Sequence, residues 1–249
     1  MIFSSSNPLA FFLVFCRIGA CLMVAPGFAS ERVPVRVRLL IAVAVSLALF
    51  PGLAGSIGQA LSGATIDRML LFGAREFLVG VAFGLLARFF FLALETLITT
   101  VNMTIGLGNI FSAAVDAEAT PALSTFIVTA ALTLMFLTDQ HLELLQGIFL
   151  SYRLAPIADT FSRAYFLSDF GETLSEAYVL ALRISSPFLL FAIVVNLGFG
   201  FLARLTPQAP IYFISAPFMI VAGLYSVLLV SGDFLPAFAG QFGSWLRHG

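Results

Sequence analysis

Long apolar runs, separated by short polar or glycine- and proline-containing steps, make up most of this 249-residue chain. None of the runs shows the period-two alternation that a membrane β-barrel requires. Lipid offers the backbone no hydrogen-bond partners, so such runs are expected to be helices. Six or seven runs are present, with approximate bounds at 9–24, 37–57, 69–94, 122–138, 142–150, 177–203 and 211–230. The pattern predicts an all-α integral membrane protein with six to seven long, kinked helices.

The composition supports a surface that faces lipid or other protein. Apolar residues make up 60% of the chain and charged residues 10%, and the mean hydropathy is +1.06. A water-soluble domain of this size needs more polar cover than these residues supply. The net charge is −1, and the one short basic run lies at Arg32–Arg38. We therefore expect membrane lipid as a contact and no nucleic acid as a partner.

Residues suited to catalysis or metal binding are not grouped in the sequence. Cys16 and Cys21 lie five positions apart in the first apolar run, which is neither a metal-ligand pair nor a redox CxxC. His141 and His248 do not form a ligand pair by spacing, and HExxH, P-loop and GxSxG motifs are absent. We expect a protein that is not an enzyme, with no cofactor and no metal.

Charged residues interrupt the apolar runs, where lipid would penalise them. A charge at mid-bilayer costs at least about 2.5 kcal/mol even on the most lenient scale. Such charges must therefore face protein or a water-filled cavity. Six residues are in this position: Arg17, Arg75, Glu76, Arg88, Glu95 and Arg183.

The third apolar run carries a polar and small-residue seam. If the helix is unbroken from Met69 to Asn102, it is about 50 Å long and exceeds the ~30 Å hydrocarbon core. One face of this helix then presents Gly80, Gly84, Arg88, Glu95, Thr99 and Asn102. Glycines four residues apart allow a second helix to approach closely. We predict packing against other subunits through Gly80, Gly84, Arg75, Glu76, Arg88 and Glu95. A seam packed within this one chain is the alternative.

The segment 106–121, between the third and fourth apolar runs, is rich in small residues. Gly106 and Gly108 permit backbone torsions that other residues rarely adopt. Ile110 and Phe111 are the large apolar side chains beside them, and an apolar constriction closes a pore by excluding water. These four residues are the pore-plug candidates. An ordinary surface loop with a buried phenylalanine is the alternative.

Three stretches of the chain resemble motifs of the FliR family of type III secretion export-gate subunits. The first comprises Phe15–Ala20, Ala25–Phe28 and Arg32–Leu39. The second is Ala74–Phe77 with Gly80, Gly84 and Arg88. The third runs from Arg204 to Phe213 and is followed by Pro217. Together the three motifs cover nearly the whole chain in the family's order.

The resemblance implies a subunit of the flagellar type III export gate, which forms and plugs the channel for unfolded flagellar proteins. It implies a single gate domain over 1–249, built from helical hairpins, in the bacterial inner membrane at the flagellar basal body. The implied partners are FliP and FliQ in a helical multisubunit gate, FlhB, FlhA and the exported flagellar proteins. The family's pore plug maps to about 106–121. A virulence-system gate subunit and a small-molecule secondary transporter are the alternatives.

Overall fold

The computed structural model describes residues 7–30, 33–62, 65–105, 122–154, 156–157, 163–206, 208 and 211–248. Among these residues no strand occurs, and helices account for nearly all positions. The helices are α1 (Asn7–Val24), α2 (Val35–Leu61), α3 (Ile66–Ile105), α4 (Ala122–Leu137), α5 (Gln140–Leu154), α6 (Arg163–Leu205) and α7 (Ile211–His248). The prediction of an all-α protein is confirmed.

Within the described ranges, three helical stretches are long and apolar enough to cross a membrane: Val35–Gln59, Ile66–Met103 and Gly171–Leu205. Helices α4 and α5 are separated by a break of two residues and count as a fourth candidate if they form one span. Asp139, in this break, has a φ of 59°, a left-handed backbone conformation that a helix cannot contain. The protein is an all-α membrane protein.

Helix α3 is continuous over 40 residues, so it is about 60 Å long at 1.5 Å per residue. The sequence predicted an unbroken helix from Met69 to Asn102, and α3 contains this range with three further residues at each end. Its length is roughly twice the thickness of the hydrocarbon core. Part of α3 must therefore leave the core, or the helix must tilt or bend.

Two helix boundaries were predicted wrongly. The charged residues of the segment 155–176 favour an exposed loop with a short helix, but α6 begins at Arg163 and continues to Leu205. The last run was expected to end near 230, but α7 continues to His248. Hydropathy marks only the part of a helix that suits lipid, whereas residues such as Glu, Leu and Ala favour helix regardless of solvent. The first turns of α6 are polar and the extension of α7 begins with Ser231, Gly232 and Asp233, so hydropathy missed both.

Helices α2, α6 and α7 continue past internal prolines. Pro51 lies within α2, Pro187 within α6, and Pro217 and Pro236 within α7. Each proline removes one helical hydrogen bond. Membrane helices tolerate this loss because neighbouring side chains and local adjustments satisfy the freed carbonyl. The missing hydrogen bond predicts a kink at Pro187, and this kink stays a prediction.

Contacts divide the chain into two compact units. Unit 1 comprises Met1–Phe89 and His141–Thr173, and unit 2 comprises Phe90–Gln140 and Leu174–Gly249. In unit 1, α1 packs along α2, and in unit 2, α4 packs against α7. The single gate domain over 1–249 stays a prediction.

An aromatic cluster forms the core of unit 2. Phe90 and Phe91 of α3 contact Phe242 of α7 edge to face, with ring centroids 5.5 and 5.4 Å apart. Phe238 and Trp245 extend the cluster on either side. Aromatic pairs of this geometry contribute about 0.5–1.5 kcal/mol beyond their buried area. The end of α7 is thereby held against α3.

Candidate functional site

An ion pair between Arg17 of α1 and Glu76 of α3 lies at the centre of unit 1. Arg17 Nε donates to Glu76 Oε2 at 2.7 Å, and Arg17 Nη2 donates to Glu76 Oε1 at 2.8 Å. The two side chains are 1% and 0% exposed. This two-bond, charge-assisted geometry is the strongest arrangement that an arginine and a carboxylate form. It neutralises two charges that the surrounding apolar side chains could not accommodate singly.

Helix α5 supplies the remaining contacts of the Arg17 guanidinium. Arg17 Nη1 donates to Ser151 Oγ at 3.1 Å, and Ser151 donates in turn to the Ile148 carbonyl at 2.6 Å. The Tyr152 ring centroid lies 3.8 Å from the guanidinium carbon, which is within range of a cation–π interaction. The side chain of Arg17 in α1 is therefore hydrogen-bonded to both α3 and α5.

Two glycines of α3 let the backbone of α1 approach closely. A Cβ added at Gly80 would overlap the carbonyl oxygen of Arg17, and one added at Gly84 would lie 2.7 Å from the carbonyl oxygen of Cys21. Backbones can meet this closely only where side chains are absent. The seam predicted for this part of α3 is thus occupied by α1 of the same chain. Any role of Gly80, Gly84 or Glu76 in packing against other subunits stays a prediction.

The other predicted packing residues have different surroundings. Arg75 is half-buried, and its Nη1 donates to the Ile157 carbonyl at 3.0 Å. Arg88 is exposed and Glu95 is half-buried. Neither forms an ion pair with another residue that the structure describes. Exposed Arg183 of α6 likewise has no ion-pair partner within the described ranges.

The pore-plug candidates Gly106, Gly108, Ile110 and Phe111 lie outside the described residues. Their role stays a prediction. Across the described part of the chain, no group of three His, Cys, Asp or Glu side chains could hold a metal ion.

The sequence predicts that Arg17 and Glu76 must each be covered by protein or water, but it does not predict that they contact each other. Arg17 and Glu76 are 59 positions apart, so helical periodicity carries no information about their contact. Ser151 and Tyr152 were missed altogether. Nothing in the local sequence distinguishes this serine and tyrosine from others near a helix end. They contact the Arg17 guanidinium only because α5 packs beside α1.

The sequence model of the bacterial export proteins, family 1, matches residues 9–245. The chain belongs to this family. The matched range includes the Arg17–Glu76 pair, both seam glycines and the aromatic cluster.

Several relatives carry the name flagellar biosynthetic protein FliR. The protein of Caulobacter vibrioides is 29% identical over 231 residues, which cover 88% of this chain and 86% of the relative. The protein of Bacillus subtilis is 25% identical, covering 88% and 85%. The protein of Escherichia coli K12 is 24% identical, covering 86% and 81%. The resemblance predicted from the three motifs is confirmed.

Proposed function

We propose that this bacterial export protein is a subunit of the flagellar type III export gate in the inner membrane, at the flagellar basal body. It completes a channel for unfolded flagellar proteins together with FliP and FliQ, while FlhB and FlhA act at the same gate. It helps to form the channel through which these proteins pass and to close that channel, and it catalyses no reaction. The flagellar names of its relatives support this assignment.

The observation that carries the proposal is the pair of exposed arginines in apolar helices. Arg88 lies inside the candidate span Ile66–Met103, and Arg183 lies inside the candidate span Gly171–Leu205. Both are exposed and lack ion-pair partners among the described residues. Facing lipid, each would cost at least about 2.5–3.5 kcal/mol. Companion subunits or a water-filled channel would remove that cost.

Large apolar side chains are also exposed on the helices that carry these arginines. In unit 1, Phe77 and Leu78 of α3 are 53% and 64% exposed. In unit 2, Leu190 and Val194 of α6 are 64% and 66% exposed. Surfaces that combine large apolar side chains with an isolated arginine suit protein interfaces better than lipid. A helical multisubunit gate provides such interfaces.

Arg88→Leu is expected to weaken assembly of the gate without destabilising the chain itself. The substitution removes a cation that the proposal pairs with a partner subunit, while Arg88 makes no ion pair within the described part of this chain. We expect less FliP and FliQ to co-purify per copy of the variant than of the native chain. Glu172→Ala, at an exposed position, is the control. Unchanged co-purification would contradict a subunit contact at Arg88.

Phe111→Ala and deletion of residues 108–114 are each expected to raise the ion leak through the assembled gate. Both changes remove apolar bulk from the segment proposed to exclude water. The measurement is ion flux in vesicles that contain the purified gate, together with export of flagellar proteins by cells. Unchanged flux and export in both variants would favour a scaffold without pore contact. A stable, monodisperse lone chain with a substrate-dependent melting shift would favour a transporter.

A further inference from the structure

A buried polar cluster joins the end of α3 to the start of α4 within unit 2. Asn102 Nδ2 donates to Ser124 Oγ at 2.7 Å. Ser124 Oγ lies 3.0 Å from Thr99 Oγ1. Either hydroxyl could be the donor in this contact between Thr99 and Ser124. The three residues are called the Thr99–Asn102–Ser124 cluster.

The cluster is buried, yet its hydrogen bonding is incomplete. Asn102 is 0% exposed and Ser124 is 1% exposed. Asn102 Oδ1 has no hydrogen-bond partner among the residues that the structure describes, and a buried acceptor without a donor is costly. Replacing both partners of a buried hydrogen bond by apolar groups of the same shape can be nearly neutral or even stabilising. Stability alone therefore does not account for these residue types.

The position of the cluster indicates what it controls. Asn102 lies three residues before the end of α3 at Ile105, and Ser124 lies two residues after the start of α4 at Ala122. The cluster therefore ties together the two helix ends that flank residues 106–121. We propose that the Thr99–Asn102–Ser124 cluster is a positioning device that keeps these helix ends together in the resting gate. This inference rests on the proposed function, in which 106–121 carries closure.

Hydrogen bonds of this kind are weak, so the end of α3 and the start of α4 can separate during export. Hydrogen bonds between membrane helices shift an equilibrium by about three-fold each on average. Ser124→Ala removes both bonds of the cluster and is expected to raise the resting ion leak of the assembled gate about eight-fold. Ser124→Thr keeps the hydroxyl and is expected to restore the native leak. Neither variant is expected to change the yield of assembled gate.

Thr133→Val is the matched control on α4. Thr133 is exposed, and its hydroxyl bonds only to the Thr129 carbonyl of its own helix. We expect native leak and native gate yield for this variant. A native leak in Ser124→Ala, measured on a normally assembled gate, would overturn the inference.

A reversible cross-link tests the same contact without relying on lost bonds. The Thr99 and Ser124 oxygens are 3.0 Å apart, so Thr99→Cys with Ser124→Cys places two thiols within the reach of a disulfide. We expect native leak in the oxidised gate and raised leak after reduction. Each single cysteine variant controls for Cys16 and Cys21 and should not respond to oxidant. Failure of the disulfide to form, or equal leak in both states, would overturn the inference.

Deletion of residues 108–114 distinguishes the proposed closure by 106–121 from the proposed positioning role of the Thr99–Asn102–Ser124 cluster. If the deletion leaves the leak unchanged, the proposed closure by 106–121 fails. If the deletion raises the leak while Ser124→Ala does not, the closure stands and only the positioning role of the Thr99–Asn102–Ser124 cluster is overturned.

Discussion

Glu76→Ala is expected to destabilise the folded chain by about 3–5 kcal/mol, because it leaves the Arg17 guanidinium buried without its counter-ion. Arg17 is 1% exposed and cannot reach water without displacing its neighbours. Ser151 and Tyr152 would still contact the guanidinium, but neither carries a negative charge. Native proteins in general have only about 5–15 kcal/mol of net stability. Most of the variant should therefore fail to accumulate in the membrane.

The measurement is the amount of full-length variant in the membrane, with denaturant unfolding of the purified gate where enough is obtained. Glu172→Ala is the matched control, because Glu172 is an exposed acid of the same unit. A second variant replaces both partners, Arg17→Met with Glu76→Met. It should recover much of the loss, since apolar side chains of similar volume often replace a buried ion pair without cost. Native stability of Glu76→Ala would contradict the central role of the pair.

Gly80→Ala is expected to cost about 3 kcal/mol, at the upper end of the range for overpacking. The added methyl group would overlap the backbone carbonyl of Arg17, and backbone cannot rotate aside as a flexible side chain can. Helix α1 must then move away from α3, which also stretches the Arg17–Glu76 bonds. The measurement is again membrane abundance and denaturant unfolding.

Gly73→Ala is the matched control on the same helix. The nearest atom to a Cβ at Gly73 is Leu13 Cδ2 at 3.9 Å, which is an ordinary contact. Alanine there should stabilise α3 by roughly 0.5–1 kcal/mol, because it restricts the unfolded chain more than glycine does. Equal effects of the two substitutions would show that the close approach at Gly80 is not needed.

Combining Gly80→Ala with Glu76→Ala examines whether the seam and the ion pair act together. If displacement of α1 breaks the pair, the double variant should lose less stability than the sum of the two single losses. Strict additivity would show that α1 can move while its arginine stays bound to Glu76.

The existence of the helices was predictable, while several of their ends were not. An apolar run in lipid can satisfy its backbone only as a helix, so α1 to α7 were each anticipated from hydropathy. The start of α6 at Arg163 was missed, because its first turns are polar. The end of α7 at His248 was missed for a related reason. Hydropathy indicates whether a segment prefers lipid or water, but it does not indicate at which residue the helix ends.

The sequence predicted which residues belong to the candidate site, but it did not predict which of them contact each other. The cost of a charge in lipid required Arg17 and Glu76 to be covered, and helical spacing placed Gly80 and Gly84 on one face of α3. Neither argument could say whether α1 or another subunit fills that face. In the structure α1 packs against Gly80 and Gly84, and any contact of these glycines with other subunits stays a prediction. Arg88 remains exposed on the described surface and available to a partner.

The sequence by itself determined the helical class, the membrane environment, the charges that need cover and the family, since each follows from residue types and their order. Only the tertiary structure decided that Arg17 bonds Glu76 and Ser151, and that Asn102 bonds Ser124. These contacts join positions far apart in the chain. Their formation depends on how whole helices pack, and no local pattern of residues encodes that packing.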